Sequence, residues 1–347
     1  MNMIENPFRQ AGPLVPEVPY PSTDEDAVFR LLSRCPAAAE TPLHQNGDMV
    51  SDISLWLKDE RGRMGLGSFK ALGAAYVIAC DAAAASLEPG SKTLRGRTYI
   101  TASAGNHGMS VAAGAQVFGA NAVVYIAETV PEVFARRLRD KGAEVRREGR
   151  DYAASMAAAS AAAEAGEGVL LSDSSWQGYS EIPHRLMEGY LAMAAEAARQ
   201  VPEAPSHVML QAGVGGLAGA VAAFARKTWG DAPCIIVVEP EAAPALQASI
   251  SAGKPVFADG PDSIMGRLDC KEPSLIALNG LARDADAFLT LSDDEVEGVL
   301  PALAAAGFAT TASGAAGIAA VLLKESRVLC GIDPGSRVLA FLSEQAE

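Results

Sequence analysis

The stretches of sequence that decide the fold are Gly67-Ser68-Phe69-Lys70-Ala71 and Ala212-Gly213-Val214-Gly215-Gly216-Leu217-Ala218-Gly219. The first places an amine at the start of an apolar helix, and the second is a glycine-rich loop between a strand and a helix. Consecutive backbone N–H groups in such a loop can converge on a phosphate group. Between them lies Ser103-Ala104-Gly105-Asn106-His107, which carries an asparagine at a turn. An amine, an asparagine turn and a glycine loop in this order are what an enzyme that uses pyridoxal 5'-phosphate (PLP) needs.

Lys70 is the candidate for covalent attachment of PLP. It follows two glycines, a serine and Phe69, and it stands at the start of an alanine-rich helix. The helix N-terminus and burial both disfavour an ammonium group, so the sequence predicts a lowered pKa for Lys70. A neutral amine is the form that Schiff-base chemistry requires. An isolated lysine would be interpreted as a solvated surface residue, and the accompanying motifs favour the cofactor site.

The glycine loop alone is compatible with a dinucleotide-binding site. Gly215 and Gly216 are adjacent, so the G-x-G-x-x-G run of that site is missing, although an acidic residue, Glu239, follows the next strand. A dehydrogenase therefore stays open as an alternative. The sequence has no G-x-x-x-x-G-K-[ST] run, which excludes a P-loop.

Asn106, His107 and Ser343 are further candidates. Asn106 follows a strand, where it is either an ordinary helix cap or a contact to the hydroxyl group of the pyridine ring. His107 beside it is either a capping or core residue or a residue of the site. Ser343 follows the last strand, and ligands of open α/β sheets bind at the carboxyl ends of strands. Its hydroxyl group can donate to an unprotonated pyridine nitrogen.

Composition limits the classes of protein that fit this chain. At 347 residues, two domains are expected. The net charge of −14 argues against nucleic acid or an anionic membrane as a partner. Five scattered cysteines without a C-x-x-C pair fit reduced thiols and predict neither disulfides nor a metal site. With no signal peptide or membrane span in the sequence, we expect a soluble cytoplasmic protein.

Short apolar strands alternate with helices of 10–18 residues from about Phe69 onward, which predicts an α/β fold with a parallel sheet covered on both faces. The predicted helices include Phe69–Ser86, Asn106–Phe118 with Gly119 as its C-cap, and a long helix over Glu181–Gln200. Residues 1–48 are interpreted as an irregular N-terminal lead-in with one short helix. Residues 49–95 and 205–347 are expected to form a large PLP-binding domain. Residues 96–204 are expected to form a smaller domain that carries the asparagine turn.

Together these motifs resemble the fold-type-II PLP enzymes, the group of tryptophan synthase β and threonine dehydratase, over about residues 40–345. The resemblance implies two domains, each with a helix-covered, mostly parallel sheet. It assigns the Schiff base to Lys70, and it implies a small amino-acid substrate and a homodimer. It places the cofactor against eight further residues, Phe69, Asn106, Gly213, Val214, Gly215, Gly216, Leu217 and Ser343. It places the substrate against Ser103, Ala104, His107, Met265 and Arg267.

Two longer segments, 173–190 and 263–273, resemble diaminopropionate ammonia-lyase more narrowly. That similarity places a second catalytic acidic group on Asp173, where a carboxylate suits a cationic leaving group. The alternative for Asp173 is a loop or cap residue. Where the family has an aspartate that serves the D-isomer, this chain has Ala104. Arg267 stands where the family prefers a small residue, and it either pairs with a second substrate carboxylate or points to solvent.

The resemblance implies an α,β-elimination that converts L-2,3-diaminopropionate to pyruvate and ammonia. A dehydratase of serine, threonine or 3-hydroxyaspartate is the nearest alternative, and Arg267 favours the last substrate. A cysteine-synthase-like β-replacement is a further alternative within the family. A PLP-fold binding protein without turnover belongs to a different class, and the presence of both Lys70 and the glycine loop argues against it. The family's serine-threonine-glutamate-glycine ending is matched only in part by Ser343-Glu344-Gln345.

Overall fold

The computed structural model describes residues 1–35, 37–45, 49–85 and 93–346. Within these residues the strands form a seven-stranded and a four-stranded sheet. The strands are β1 (Asn2–Glu5), β2 (Leu43–Gln45), β3 (Ser54–Asp59), β4 (Thr98–Ala102), β5 (Asn121–Ile126), β6 (Glu144–Arg147), β7 (Val169–Leu170), β8 (His207–Gln211), β9 (Cys234–Pro240), β10 (Ala287–Leu291) and β11 (Arg337–Leu342).

The helices alternate with these strands. They are α1 (Glu25–Leu32), α2 (Ala71–Ala85), α3 (Asn106–Phe118), α4 (Glu132–Asp140), α5 (Tyr152–Glu164), α6 (Glu181–Gly189), α7 (Leu191–Gln200), α8 (Gly216–Trp229), α9 (Ala245–Ala252), α10 (Leu275–Asp284), α11 (Asp293–Glu297), α12 (Leu300–Ala305), α13 (Ala312–Leu322) and α14 (Lys324–Leu329). A 3-10 helix spans Glu60–Gly65.

The larger sheet has the strand order β1-β10-β9-β8-β11-β3-β2. Its five inner strands are parallel, and β1 and β2 are antiparallel edges. Successive residues of β9 enter different apolar clusters, Ile235 and Val237 on one face and Ile236 and Val238 on the other. Burial on both faces is typical of parallel sheets, as the sequence predicts.

The smaller sheet is parallel throughout, with the order β6-β5-β4-β7. It too is covered on both faces, since Ile100 and Tyr99 of β4 enter two different apolar clusters. The α/β prediction is confirmed in both sheets. The predicted helix Asn106–Phe118 and its C-cap are also confirmed, because α3 has these bounds and Gly119 ends it with φ 73°.

Several elements differ from the sequence prediction. The N-terminal lead-in, which was predicted to be irregular, contributes the two edge strands β1 and β2. These strands have too few residues to give a periodic pattern in the sequence. The single helix predicted over Glu181–Gln200 is two helices, α6 and α7. Strands β3 and β10 and helices α10 and α14 were not predicted from the sequence. The predicted helix end at Ser86 lies outside the described residues.

A buried ionic cluster anchors the segment that leads to Lys70. Arg63 contacts Glu60 at 2.7 Å and Glu196 at 2.6 Å, and Lys58 contacts the same Glu196 at 2.7 Å. All four side chains are buried, and their two positive and two negative charges balance. Because removal of one partner would leave a buried charge uncompensated, this cluster fixes the position of the 3-10 helix before the lysine motif.

Candidate active site

A cavity of about 1500 Å³ is lined by segments that follow the carboxyl ends of strands in both sheets. The glycine loop follows β8, Ser343 follows β11, Ser103 follows β4 and Asp173 comes shortly after β7. Strand ends of open α/β sheets are where ligands bind. Of the residues predicted for the site, the cavity wall contains Phe69, Lys70, Ser103, Ala104, Asn106, His107, Asp173, Gly213, Val214, Gly215, Gly216, Leu217, Arg267 and Ser343.

Lys70 lies just before α2 and forms an ion pair with Asp173 inside this cavity. The distance from Lys70 Nζ to Asp173 Oδ2 is 2.5 Å, and the two side chains are 22% and 17% exposed. The backbone N–H of Lys70 donates to Ser68 Oγ at 3.1 Å. The structure thus joins two residues that lie 103 positions apart in the sequence.

The protonation of this pair differs from the sequence expectation. Burial by itself lowers the pKa of Lys70, but the adjacent Asp173 carboxylate outweighs burial and raises the pKa above its ordinary value. The prediction of a lowered pKa was therefore wrong for the protein alone, because a sequence motif does not show which charge lies opposite the amine. Burial by itself would raise the pKa of Asp173. The Lys70 ammonium group opposes this effect and holds the pKa of Asp173 well below its usual range.

An aromatic wall supports the lysine. The rings of Phe69 and Tyr190 meet edge to face with 4.9 Å between their centroids. Lys70 Nζ lies 5.3 Å from the Phe69 centroid and 6.0 Å from the Tyr190 centroid. The backbone N–H of Phe69 donates to the carbonyl oxygen of Ser343 at 3.0 Å. The lysine motif is thereby tied to the end of β11.

The glycine loop passes from β8 into the N-terminus of α8. Gly215, at φ 97°, is in the left-handed region that favours glycine. A Cβ atom on Gly213 would lie 3.0 Å from both Cys270 Sγ and the Cα atom of Leu268. The loop therefore requires glycine for its conformation at one position and for close approach at another. Backbone N–H groups at such a loop and at the first turn of the following helix are suited to binding an anion.

Asn106 is the first residue of α3, and its side chain contacts a residue that the sequence analysis did not single out. Asn106 Nδ2 donates to Glu344 Oε2 at 2.6 Å. Glu344 is only 4% exposed and also lines the cavity. The sequence feature that could have pointed to Glu344 is its position directly after Ser343, where the chain departs from the family's ending.

Arg267 enters the cavity wall and pairs with the same glutamate. Arg267 Nη1 lies 3.1 Å from Glu344 Oε1, and the arginine side chain is 29% exposed. Its Nε atom lies 4.0 Å from the position that a Cβ on Gly105 would occupy, so the guanidinium group flanks the asparagine turn. The backbone N–H of Arg267 donates to Ser313 Oγ at 3.1 Å. Arg267 therefore lies in the cavity wall with its guanidinium group facing a carboxylate of the protein, and its contact with a substrate stays a prediction.

His107 and Met265 lie in buried positions. His107 Nε2 is 2.9 Å from the carbonyl oxygen of Leu171, and burial lowers the pKa of this histidine, which favours the neutral ring. This geometry supports the core interpretation of His107, although the residue also borders the cavity. Met265 is fully buried among apolar side chains and is not part of the cavity wall. Its position gives no support to the predicted substrate contact.

The loop that carries Asp173 is anchored by two buried serines that the sequence analysis did not assign. Ser175 Oγ and Ser274 Oγ are 2.7 Å apart, and Ser175 Oγ also accepts from the backbone N–H of Ile276 at 2.9 Å. The backbone N–H of Ser274 donates to the carbonyl oxygen of Val214 at 2.9 Å. This chain of contacts fixes Asp173 relative to the glycine loop and to the start of α10.

Metal-ligand clusters and membrane-spanning helices are absent from the described part of the chain. No group of three or more histidine, cysteine, aspartate or glutamate side chains is arranged to hold a metal ion in these residues. None of the helices in the same ranges has the length and apolar character needed to cross a bilayer.

Comparisons with known proteins show the family to which the chain is similar. A family model described as pyridoxal-phosphate dependent enzyme matches residues 35–344. Diaminopropionate ammonia-lyase of Salmonella typhimurium is 34% identical over 290 residues, which cover 77% of this chain and 72% of the relative. Biosynthetic L-threonine dehydratase of Haemophilus influenzae is 29% identical over 255 residues, which cover 70% of this chain and 46% of that protein.

A solved structure is similar over nearly the whole chain. It is diaminopropionate ammonia lyase from Escherichia coli in complex with an aminoacrylate-PLP azomethine reaction intermediate. The sequences are 26% identical, the TM-score is 0.86, and the match covers 99% of this chain and 93% of the other.

Proposed function

Because the chain belongs to the family of pyridoxal-phosphate dependent enzymes, we propose that it is a carbon–nitrogen lyase that converts L-2,3-diaminopropionate to pyruvate and ammonia. The observation that carries this proposal is the contact between Lys70 Nζ and Asp173 Oδ2 in a cavity bordered by the glycine loop. The proposal makes Lys70 the proton acceptor and Asp173 the anion for a cationic leaving group, and the contact supports it because the two side chains are adjacent.

The residues of the cavity fit PLP. Gly213 and Gly215 leave no space for side chains, so the loop offers backbone N–H groups at the start of α8, and these would hold the phosphate group. Lys70 would carry the covalent link, Asn106 and Ser343 would bind polar atoms of the ring, and Phe69 would border it. PLP, when bound, supplies an electrophilic carbon and a ring that accepts electrons from the substrate carbanion.

Lys70 and Asp173 have separate roles in the elimination. With the substrate in the cavity, Lys70 Nζ would take the proton from the substrate α-carbon. The ionised Asp173 stabilises the resulting ammonium group. It also keeps the β-nitrogen of the substrate protonated, so this nitrogen leaves as neutral ammonia with the electrons of the carbon–nitrogen bond. Hydrolysis of the remaining enamine releases pyruvate and the second ammonia.

The stoichiometry of the products tests this proposal. Purified protein incubated with L-2,3-diaminopropionate should release two ammonia per pyruvate, whereas L-serine would give one. The 2-oxo acid product and ammonia are measured over a panel that contains diaminopropionate, serine, threonine and 3-hydroxyaspartate. We expect diaminopropionate to give the highest kcat/KM. If the protein does not turn over diaminopropionate but rapidly turns over a hydroxy amino acid, it is a dehydratase instead.

A 3-hydroxyaspartate dehydratase is the second candidate because Arg267 lies in the cavity wall. Its pairing with Glu344 weakens this candidate, since the guanidinium group already faces a carboxylate of the protein. Arg267→Ala would raise the KM for 3-hydroxyaspartate if the arginine bound the second carboxylate of that substrate.

The enantiomer preference should follow from Ala104. Because alanine accepts no proton, wild-type kcat/KM should be at least about 10²-fold higher for the L-isomer than for the D-isomer of the substrate. Ala104→Asp should gain activity on the D-isomer, and Ala104→Asn, of similar size but without a proton acceptor, should not. Stereospecific assays of all three proteins measure this effect. Equal wild-type rates on both isomers would mean that another base serves the second face.

We further propose a cytoplasmic homodimer that acts in amino-acid catabolism, with a large domain of residues 49–95 and 205–347 and a small domain of residues 96–204. Support for the division is that β4–β7 form one sheet, while β3 and β8–β11 belong to the other. The resemblance supports the dimer, and the five free cysteines suit a reducing compartment.

A further inference from the structure

Glu344 is a buried carboxylate on the cavity wall that none of the proton transfers above uses. It follows Ser343 at the end of β11, and it is 4% exposed. Its Oε2 atom accepts from Asn106 Nδ2 at 2.6 Å. Its Oε1 atom accepts from the hydroxyl group of Thr311 and lies 3.1 Å from Arg267 Nη1. The two oxygens therefore serve different donors.

The contact with Asn106 determines how that amide is oriented. An ionised carboxylate only accepts hydrogen bonds, whereas a primary amide has a donor end and an acceptor end. The amide nitrogen of Asn106, and not its oxygen, must therefore face Glu344. Because that nitrogen carries two hydrogens, the second one is left for an acceptor other than the glutamate.

Arg267 supplies the positive charge opposite Glu344. Its Nη1 atom lies 3.1 Å from Glu344 Oε1, so the two residues are ion-paired. A buried carboxylate needs a compensating charge, and the arginine provides it. The ion pair therefore offsets the cost of burying Glu344.

We propose that Glu344 is a positioning residue that orients Asn106 toward the pyridine ring of PLP, with Arg267 as its counter-ion. The amide nitrogen then offers its second N–H to the oxygen substituent of the ring, and the amide oxygen is turned away. This inference rests on the cofactor site of the proposed function, but it does not depend on the leaving group of the substrate. In this proposal the positive charge of Arg267 compensates the negative charge of Glu344, a carboxylate of the protein itself.

A double-mutant cycle tests the proposal without any measurement of turnover. In Glu344→Gln, the side-chain oxygen can remain with Arg267 and Thr311, which turns an NH₂ group toward Asn106 and forces that amide to flip or move. We expect the PLP dissociation constant to rise about tenfold and the absorption maximum of bound PLP to shift. In the Asn106→Ala background, the same substitution should change the dissociation constant less than about twofold, because the residue through which it acts is gone.

Glu239→Gln is the matched control, since Glu239 is also a buried glutamate and accepts from two backbone N–H groups without lining the cavity. It should affect thermal stability and leave the absorption maximum in place. An unchanged PLP affinity and spectrum in Glu344→Gln would overturn the proposal. An undiminished effect in the Asn106→Ala background would also overturn it, because Glu344 would then act through the fold.

If Glu344→Gln does not fold, Glu344→Asp decides the question. Aspartate keeps the charge for Arg267 but withdraws the carboxylate from Asn106 by one methylene group. A weaker affinity for PLP supports the positioning role, and the wild-type affinity contradicts it. If the protein is inactive on diaminopropionate but the double-mutant cycle gives the expected PLP dissociation constants, the proposed substrate is refuted and this inference stands.

Discussion

Lys70→Ala should abolish nearly all turnover of 2,3-diaminopropionate, with a loss of at least about 10³-fold in kcat. The substitution removes both the covalent link to PLP and the group that takes the α-proton. Some PLP should still bind, because the glycine loop remains. Turnover is measured by pyruvate release, and the covalent link is measured by borohydride reduction followed by peptide mapping, which should mark Lys70 in the wild type.

Lys271 provides the matched control for this experiment. It is another lysine on the cavity wall, and its Nζ atom lies 2.6 Å from Asp269 Oδ1. In Lys271→Ala the reduced cofactor should still be found on Lys70. A label on Lys271 or on any other lysine of the wild type would contradict the assignment of the covalent link.

Asp173→Asn should reduce turnover of 2,3-diaminopropionate by about 10²-fold or more, the scale typical of a lost proton-transfer group. An amide cannot keep the β-nitrogen of the substrate protonated, so this nitrogen would be a poorer leaving group. The same substitution should matter much less for a β-chloro amino acid, because chloride leaves without a proton. The ratio of the two kcat/KM values, compared between wild type and variant, measures this effect.

The pKa of Lys70 helps to interpret that comparison. Because the Asp173 carboxylate raises the pKa of Lys70, the asparagine variant should have a lower pKa and a larger share of neutral amine at a given pH. A shortage of neutral amine therefore cannot cause the loss. If both substrates lose activity to the same extent, Asp173 has a structural role, and the ammonia-lyase mechanism loses its main support.

Local sequence was sufficient for the elements that carry their own signals. The helix over Asn106–Phe118 was predicted with its bounds, because a turn precedes it and Gly119 adopts the left-handed conformation after it. The glycine loop was recognised because only glycine fits at Gly215 and Gly213. Short edge strands such as Asn2–Glu5 were missed, since four residues give no reliable period and their pairing partner lies far along the chain.

The sequence by itself determined the fold class and the order of the motifs, and it predicted the roles of Lys70 and of the glycine loop, because all of these depend on local residue types and spacing. The tertiary structure alone decided which charges meet. It brought Asp173 to Lys70 and thereby reversed the expected direction of the lysine pKa. It also joined Glu344 to Asn106 and Arg267. Electrostatic effects act through space over a few ångströms, whereas Lys70 and Asp173 lie 103 positions apart in the sequence and Asn106 and Glu344 lie 238 positions apart.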